Sequence, residues 1–522
     1  MNCILPNRIW KFSWHWLILS FILLIPIGNG IYAYLIQIHE GLISTGMRTI
    51  GLGGASWGLN ICYYIYFAGL TFGGITTAAL TRLLKIKELE PITRLAELLA
   101  LFSLFMAAPC LLSDLGRPID GALFFPQYGE ARSPFFGTFT MAAVGYFFAS
   151  LVYLWLAGRE DAYMCAQQDF SFKWFYKLWA FGYRGTEEEN ECHHKVSFWL
   201  ALIIVPLLVA ATSSLGVVFG IQVGRPGWFD ALQAPEFVVL AAISGVGALI
   251  FISAVVRSVL HTEDDPYKDA ISQKTLRWLS NLLWILILIY LYFMAVDLLT
   301  SIYSSETIEK VVTRATLFGP YAPIFWTMIG LFLISFLILF IQYVFKHYKT
   351  GLMVAAGVMV NFAAVLKRYL IVIPSQTYGT YLPYIHGHYY PTWGEYSIVT
   401  AAFAAELLLF LLFMKVFPII PLKITGTRPS VPIKPWGKIL KKAFFVGTLS
   451  FGLTLTVVGF LASARIGVKP YLDPIIPWSP VVFIIGVMIS LYSPAVYEVS
   501  PFNFSSRDLS QPIKPVSGRK QE

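Results

Sequence analysis

Ile324 to Val344 reads IFWTMIGLFLISFLILFIQYV, an apolar run without a single Asp, Glu, Lys or Arg. At the rise of an α-helix such a run is about 30 Å long, the thickness of a bilayer's hydrocarbon core. A helix that is apolar on every side has no polar face to offer water, so its solvent is protein or lipid. Working outward, comparable runs occupy Trp14–Ile36, Trp57–Leu84, Ile92–Leu112, Phe135–Leu156, Val196–Gln222, Phe237–Leu260, Leu276–Leu299, Leu352–Ile373 and Tyr396–Val416. A proline-rich stretch, Phe417–Pro435, separates these ten from an eleventh run at Phe444–Ala464 and a shorter twelfth at Val481–Val496. Composition agrees: 57% of the 522 residues are hydrophobic and 13% charged, against about 25% charged in soluble domains. The expected fold is an all-α polytopic membrane protein. Residues 1–420 form a ten-span domain, 421–440 a cytoplasmic linker, 441–500 one or two added helices and 501–522 a polar tail. The lipid bilayer is its first partner, and no stretch is left over for a soluble enzyme domain.

Lys and Arg alternate from loop to loop. Arg8 and Lys11 precede the first run, Arg82, Lys85, Lys87 and Arg94 fill the second loop, and Arg159, Lys173, Lys177, Arg184 and Lys195 the fourth. Later even loops continue the pattern, whereas odd loops hold only scattered cations such as Arg48, Arg117, Arg132 and Arg225. Basic loops stay on the cytoplasmic side, so the N-terminus is expected inside a cytoplasmic (inner) membrane and the odd loops outside. The net charge of +9 is then a topology signal and not a nucleic-acid one. The first run is too long for a signal-peptide core and is expected to stay as a helix. The five cysteines form no C-x-x-C pair, so an iron–sulfur cluster or zinc ribbon is not expected in this chain. None of the histidines sits in the middle of a run, which argues against a membrane haem with axial ligands inside a bundle.

The odd loops carry the unusual texture. The third reads Ser113-Asp114-Leu115-Gly116-Arg117-Pro118, the fifth Gly224-Arg225-Pro226-Gly227-Trp228, and the ninth runs from Ile373-Pro374-Ser375-Gln376 through His386-Gly387-His388 to Pro391-Thr392-Trp393-Gly394-Glu395. Asp114 ends the third run at the depth where Asn60 and Tyr64 begin the second and Glu236 begins the sixth, with Arg117 just above. A carboxylate, an amide and aromatic walls in an apolar setting can hydrogen-bond a carbonyl-bearing ring and move a proton at it. Asp114, Tyr64, Asn60, Arg117 and Glu236 are therefore the candidate ligand-binding set. Each also has a structural reading: Asp114 as a helix cap, Glu236 as a helix-start carboxylate after Pro235, Asn60 and Tyr64 as ordinary membrane-helix residues. Glu97, Asp297, Lys367 and Glu406 lie deeper in apolar runs, where ionisable groups are costly. They are candidates for a proton path or, equally, for structural ion pairs. Arg225, Trp228, His386 and His388 are candidates for docking a partner on the outer face, and no metal ligands are proposed.

These loops, with Gly69-Leu70-Thr71-Phe72-Gly73-Gly74 and Arg368-Tyr369-Leu370-Ile371-Val372-Ile373-Pro374-Ser375, resemble the NrfD/polysulfide-reductase membrane subunits. The ten-run length resembles the branch found in Hme/Dsr-type redox complexes and alternative complex III. The resemblance implies two four-helix bundles with flanking helices and a quinone, of menaquinone type, bound near Asp114. It also implies electron exchange with a ferredoxin-like iron–sulfur subunit on the outer face, and molybdopterin or multihaem cytochrome subunits beyond it. Haem and clusters would belong to those partners. The chain departs from the family at Phe72 and Thr212, where some branches have histidine, and at Lys367, where glutamate is common. A respiratory-complex subunit is thus the leading expectation; a secondary transporter and a purely structural anchor stay open as alternatives, although the Gly/Pro signals gather at loop level and not in paired mid-run breaks.

Overall fold

The computed structural model describes residues 2–499 apart from 4–5, 7–8, 50–53, 121–122, 124–139, 169–171, 264, 305, 382–385, 423, 426–434 and 464–477. The start of the expected fourth span, most of the proline-rich linker and the polar tail lie outside the described residues. Among those described, eleven helices are long and apolar enough to cross a membrane. The chain is all-α apart from a two-residue strand pair, Asn2–Cys3 with Ile424–Thr425. The long helices are α1 (Trp14–Glu40), α2 (Leu59–Leu83), α3 (Thr93–Asp114), α4 (Thr140–Ala166), a short α5 (Lys173–Ala180), α6 (Glu187–Gly220) and α7 (Gln233–Thr262). They continue as α8 (Gln273–Tyr303), a short α9 (Thr307–Leu317), α10 (Ala322–Val344), α11 (Thr350–Tyr378), α12 (Trp393–Val416), α13 (Pro435–Ser463) and α14 (Ser479–Val499).

Two closed rings of four helices organise the molecule. In the first, α2 packs on α3 and α6, and α4 closes the ring against both; in the second, α7, α8, α10 and α11 pack in cyclic order. The rings meet where α2 crosses α7 and α11. Gly73 of α2 faces Gly245 of α7, and a Cβ on either would collide with the other's backbone. Lipid gives no hydrophobic drive for helix pairing, so contact area between small residues supplies it. The α1–α12 pair flanks the first ring along α3, and the α13–α14 hairpin leans on α4 and α6.

Several boundaries shift from the apolar runs for local reasons. Helix α6 starts nine residues before Val196 because Thr186 and Glu189 form a reciprocal cap: Glu189 N donates to Thr186 Oγ1 at 3.3 Å and Thr186 N to Glu189 Oε2 at 3.4 Å. Helix α4 runs past Leu156 through Arg159, Glu160 and Asp161, because those charges find partners. Arg94 pairs with Asp161, and Arg159 lies 2.6 Å from Glu498 in the last turn of α14, with His193 at 3.3 Å from the same carboxylate. The short twelfth run is thus a full helix whose far end is tied to α4 and α6.

Candidate functional site

The loop-rich end of the first ring is built around the start of α2. Its cap residue, Gly58, has no side chain to satisfy the first amides of the helix. Neighbouring segments do so instead. Ser56 N and Trp57 N donate to Gln376 Oε1 of α11 at 2.8 and 3.0 Å, Gly58 N to Asp114 Oδ1 of α3 at 3.4 Å, and Leu59 N to the Tyr389 hydroxyl at 2.6 Å. Tyr389 in turn donates to Glu395 Oε1, whose other oxygen accepts from Gly46 N at 2.8 Å and Thr392 N at 2.9 Å. Glu395 is fully buried and also closes the capping box of α12. The Asp114 carboxylate therefore caps a neighbouring helix and sits favourably against the positive end of that helix's dipole.

Immediately below lies Asn60, fully buried, with neither its amide oxygen nor its amide nitrogen hydrogen-bonded. A buried unsatisfied amide costs about 1–3 kcal/mol per group, so native structures rarely leave one without a ligand or water in view. Tyr64, one turn further in, is also buried and shares this stripe with Thr71. Arg117 is separate: its side chain is 86% exposed and pairs with Asp120 at 3.8 Å.

Glu236 belongs to a different cluster. Lys367 Nζ of α11 lies 3.3 Å from Glu236 Oε2 of α7 and 3.8 Å from Asp297 Oδ2 of α8. The structure thus joins one member of the candidate ligand set to two members of the candidate proton path, inside the second ring. The other two path residues stand apart. Glu97 is held by Arg82 at 2.7 Å at the opposite end of α3, and Glu406 of α12 accepts from Ser103 Oγ at 2.6 Å. Of the docking candidates, Trp228 is buried, stacked on Trp57 with centroids 5.4 Å apart, and donates from Nε1 to Ile371 O at 2.6 Å. Arg225 is half-buried beside it, whereas His386 and His388 are exposed, stacked on Tyr378 and Tyr390. The Tyr389 phenol, in the same loop, is pushed above its ordinary value by burial and by the neighbouring Glu395. It stays a neutral donor. Among the described residues no three His, Cys, Asp or Glu side chains gather into a metal-holding group.

Residues 48–379, from the loop before α2 to the end of α11, match the family described as Polysulphide reductase, NrfD. The chain belongs to the NrfD family. Asn60, Asp114, Glu236, Asp297 and Lys367 fall inside the NrfD stretch, while Glu395 and Glu406 lie beyond it. The chain is 33% identical to a putative dimethyl sulfoxide reductase membrane subunit of Halobacterium salinarum over 44% of its own length and 49% of that protein's. It thus spans about half of that relative. It is 27% identical to a selenate reductase subunit of Mesobacillus selenatarsenatis, over 69% of this chain and 81% of the other. With an Hdr-like menaquinol oxidoreductase integral membrane subunit of Archaeoglobus fulgidus it shares 24% identity, over 75% and 90% of the two chains.

Sequence reasoning passed over Gln376, Tyr389 and Glu395 as site-building residues. A signal was present for the last: Thr392-Trp393-Gly394-Glu395 has the spacing of a capping box. Nothing local marks Gln376 or Tyr389, whose partners lie more than 300 positions away in the sequence.

Proposed function

We propose that this chain is the membrane subunit of a quinone-linked oxidoreductase complex, which binds quinone or quinol at the loop-rich end of its first ring. The observation that carries this reading is Asn60, a fully buried amide with both ends unpartnered, in the first turn of a helix whose start is capped by a carboxylate. Its free acceptor and donor suit the hydroxyl or carbonyl of such a ring. Asp114 keeps one oxygen on Gly58, which leaves the other to hold or release a proton. Tyr64 supplies an aromatic wall. The bound ring would contribute a carrier of two electrons and two protons.

Electrons would pass to or from an iron–sulfur subunit on the same face, where His386, His388, Tyr390 and Trp393 are exposed. Subunits carrying molybdopterin or haem would lie further out. The basic loops favour a cytoplasmic N-terminus, which makes this the outer face of the cell membrane. The relatives named for dimethyl sulfoxide reductase, selenate reductase and menaquinol oxidoreductase support the assignment to such complexes, and the last supports a menaquinone-type partner. Glu97, Glu406 and the Lys367 cluster each have a local partner, so in this reading they act first as structural bridges and proton exchange is confined to Asp114.

Titration of a fluorescent hydroxyquinoline N-oxide, a quinol analogue, into membranes containing the complex tests the site. Asp114→Asn and Asn60→Leu are expected to weaken binding by about tenfold or more, a loss of about 1.4 kcal/mol, and Arg117→Ala to leave it unchanged. Unaltered binding in both buried variants refutes the assignment.

A further inference from the structure

The first ring also borders a pocket whose lining reaches, along α3, well below the Asp114 level. Leu104 on its wall precedes Asp114 by ten residues of α3, about 15 Å along the helix. The walls are mostly apolar, formed by Ile65, Phe72, Leu208, Leu215 and Leu240 among others. Two polar groups interrupt them. Tyr146 enters from α4, buried, with its hydroxyl beside Ser150 and Thr71. Arg368 enters from the second ring through the space left by Gly69, where a Cβ would strike its guanidinium.

Arg368 is 2% exposed and among the largest fully buried side chains of the protein. Its Nη1 donates to Ala364 O at 2.9 Å and its Nη2 to Ser244 Oγ at 3.3 Å, and it covers the Tyr66 ring at 5.4 Å. Its Nε has no partner, and among the described residues no carboxylate lies within 4.0 Å. Arginine cannot shed its proton to relieve this. A buried cation with no carboxylate beside it and one N–H unpaired has capacity for a further oxygen acceptor. The pocket's composition, apolar walls with a few convergent polar groups, is that of small-molecule sites.

We infer that this cavity is a second site, for an amphiphile whose oxygen-acceptor head sits on Arg368 and Tyr146 and whose hydrocarbon part fills the apolar walls. A quinone carbonyl and a fatty-acid carboxylate share that chemistry. The site goes beyond the one near Asp114 and does not depend on it.

Photolabelling of the purified full chain separates the outcomes, using an azidoquinone in one arm and a diazirine-bearing fatty acid in the other, followed by peptide mapping. At least one probe is expected to label Ala68–Phe72 or Leu208–Leu215, and the labelled arm identifies the source. Labelling should fall about tenfold under excess unlabelled probe. The same fall is expected in Ala211→Phe, which fills the cavity without touching Arg368, and in Arg368→Gln. Competition in the wild-type chain decides the question even if a variant fails to fold. Absence of label from both segments with both probes, or label that persists through competition, overturns the inference. Azidoquinone labelling of Asn60–Tyr64 is scored in the same maps, so failure of the deep site and failure of the Asp114 site are read separately.

Discussion

Lys367→Met is the most informative single change to the buried charges. Lys367 is 10% exposed in its side chain and lies 3.3 Å from Glu236, 2% exposed, and 3.8 Å from Asp297, 24% exposed. Coulomb's law at an effective dielectric of about 20 gives attractions of about 5 and about 4 kcal/mol at those distances. Desolvation of all three groups offsets most of that in the native protein, so the cluster itself is a weak stabiliser. Removing only the cation is different, because it strands two buried carboxylates, and the expected loss is about 3–5 kcal/mol. At roughly 2 °C per kcal/mol for a large chain, the unfolding midpoint should fall by about 6–10 °C. The protein provides its own reporters: Cys62 and Cys110 are buried thiols, so a thiol-reactive fluorogenic maleimide follows unfolding in detergent directly. Lys367→Met combined with Glu236→Gln should recover about half the loss or more, since the cost lies in the stranded charge. A single variant that unfolds within about 1 °C of the parent would refute the reasoning, because it would mean the cluster holds no separated charge in the native protein.

Other expectations follow from the same geometry. Asn60→Leu should leave thermal stability unchanged or raise it by about 1 kcal/mol, since it removes an unsatisfied amide, while quinol oxidation by the intact complex falls by about tenfold or more; a parallel loss of stability and turnover would count against a binding role. Glu395→Ala removes the acceptor for Gly46, Thr392 and Tyr389 and should cost about 2–4 kcal/mol, measured in the maleimide assay; a loss below about 0.5 kcal/mol would show that these groups find other partners. Gly245→Val drives a branched side chain into the backbone of Gly73 and should prevent recovery of a monodisperse protein by size-exclusion chromatography; normal yield and elution would contradict the close crossing of α2 and α7.

The lipid-crossing helices were legible because length and apolarity are properties of single segments, and the two rings of four agree with what the family resemblance implied. Charge within a segment misled where its partner was remote. The apolar run of α4 stops at Leu156, yet the helix continues through Arg159 and Asp161, whose neutralising groups lie on α14 and α3. The same blindness separated Glu236 from Lys367. Their residues are 131 positions apart, and only the packing of α7 on α11 makes them one feature. Asp114 was visible as a carboxylate ending an apolar run. That it caps α2 was not, because the need arises from Gly58, a residue whose relevance is the side chain it lacks. Arg368 stood in a motif of known resemblance, but nothing in the sequence announces that the space around it is hollow.

The tie between α14 and the rest of the protein bears on the order in which the chain is made. Glu498 stands in the last turn of α14, where a negative charge opposes the helix dipole, and is stabilised there by Arg159 and His193. Arg159 is made with α4, more than 300 residues earlier. During synthesis it waits for its carboxylate until nearly the whole described protein has been inserted. A chain interrupted before α14 therefore holds Arg159 without that carboxylate, on the carbonyls of Ala180 and Phe181. Pulse-chase decay of a product stopped after residue 434 should be faster than that of the full chain, and Arg159→Leu should slow it.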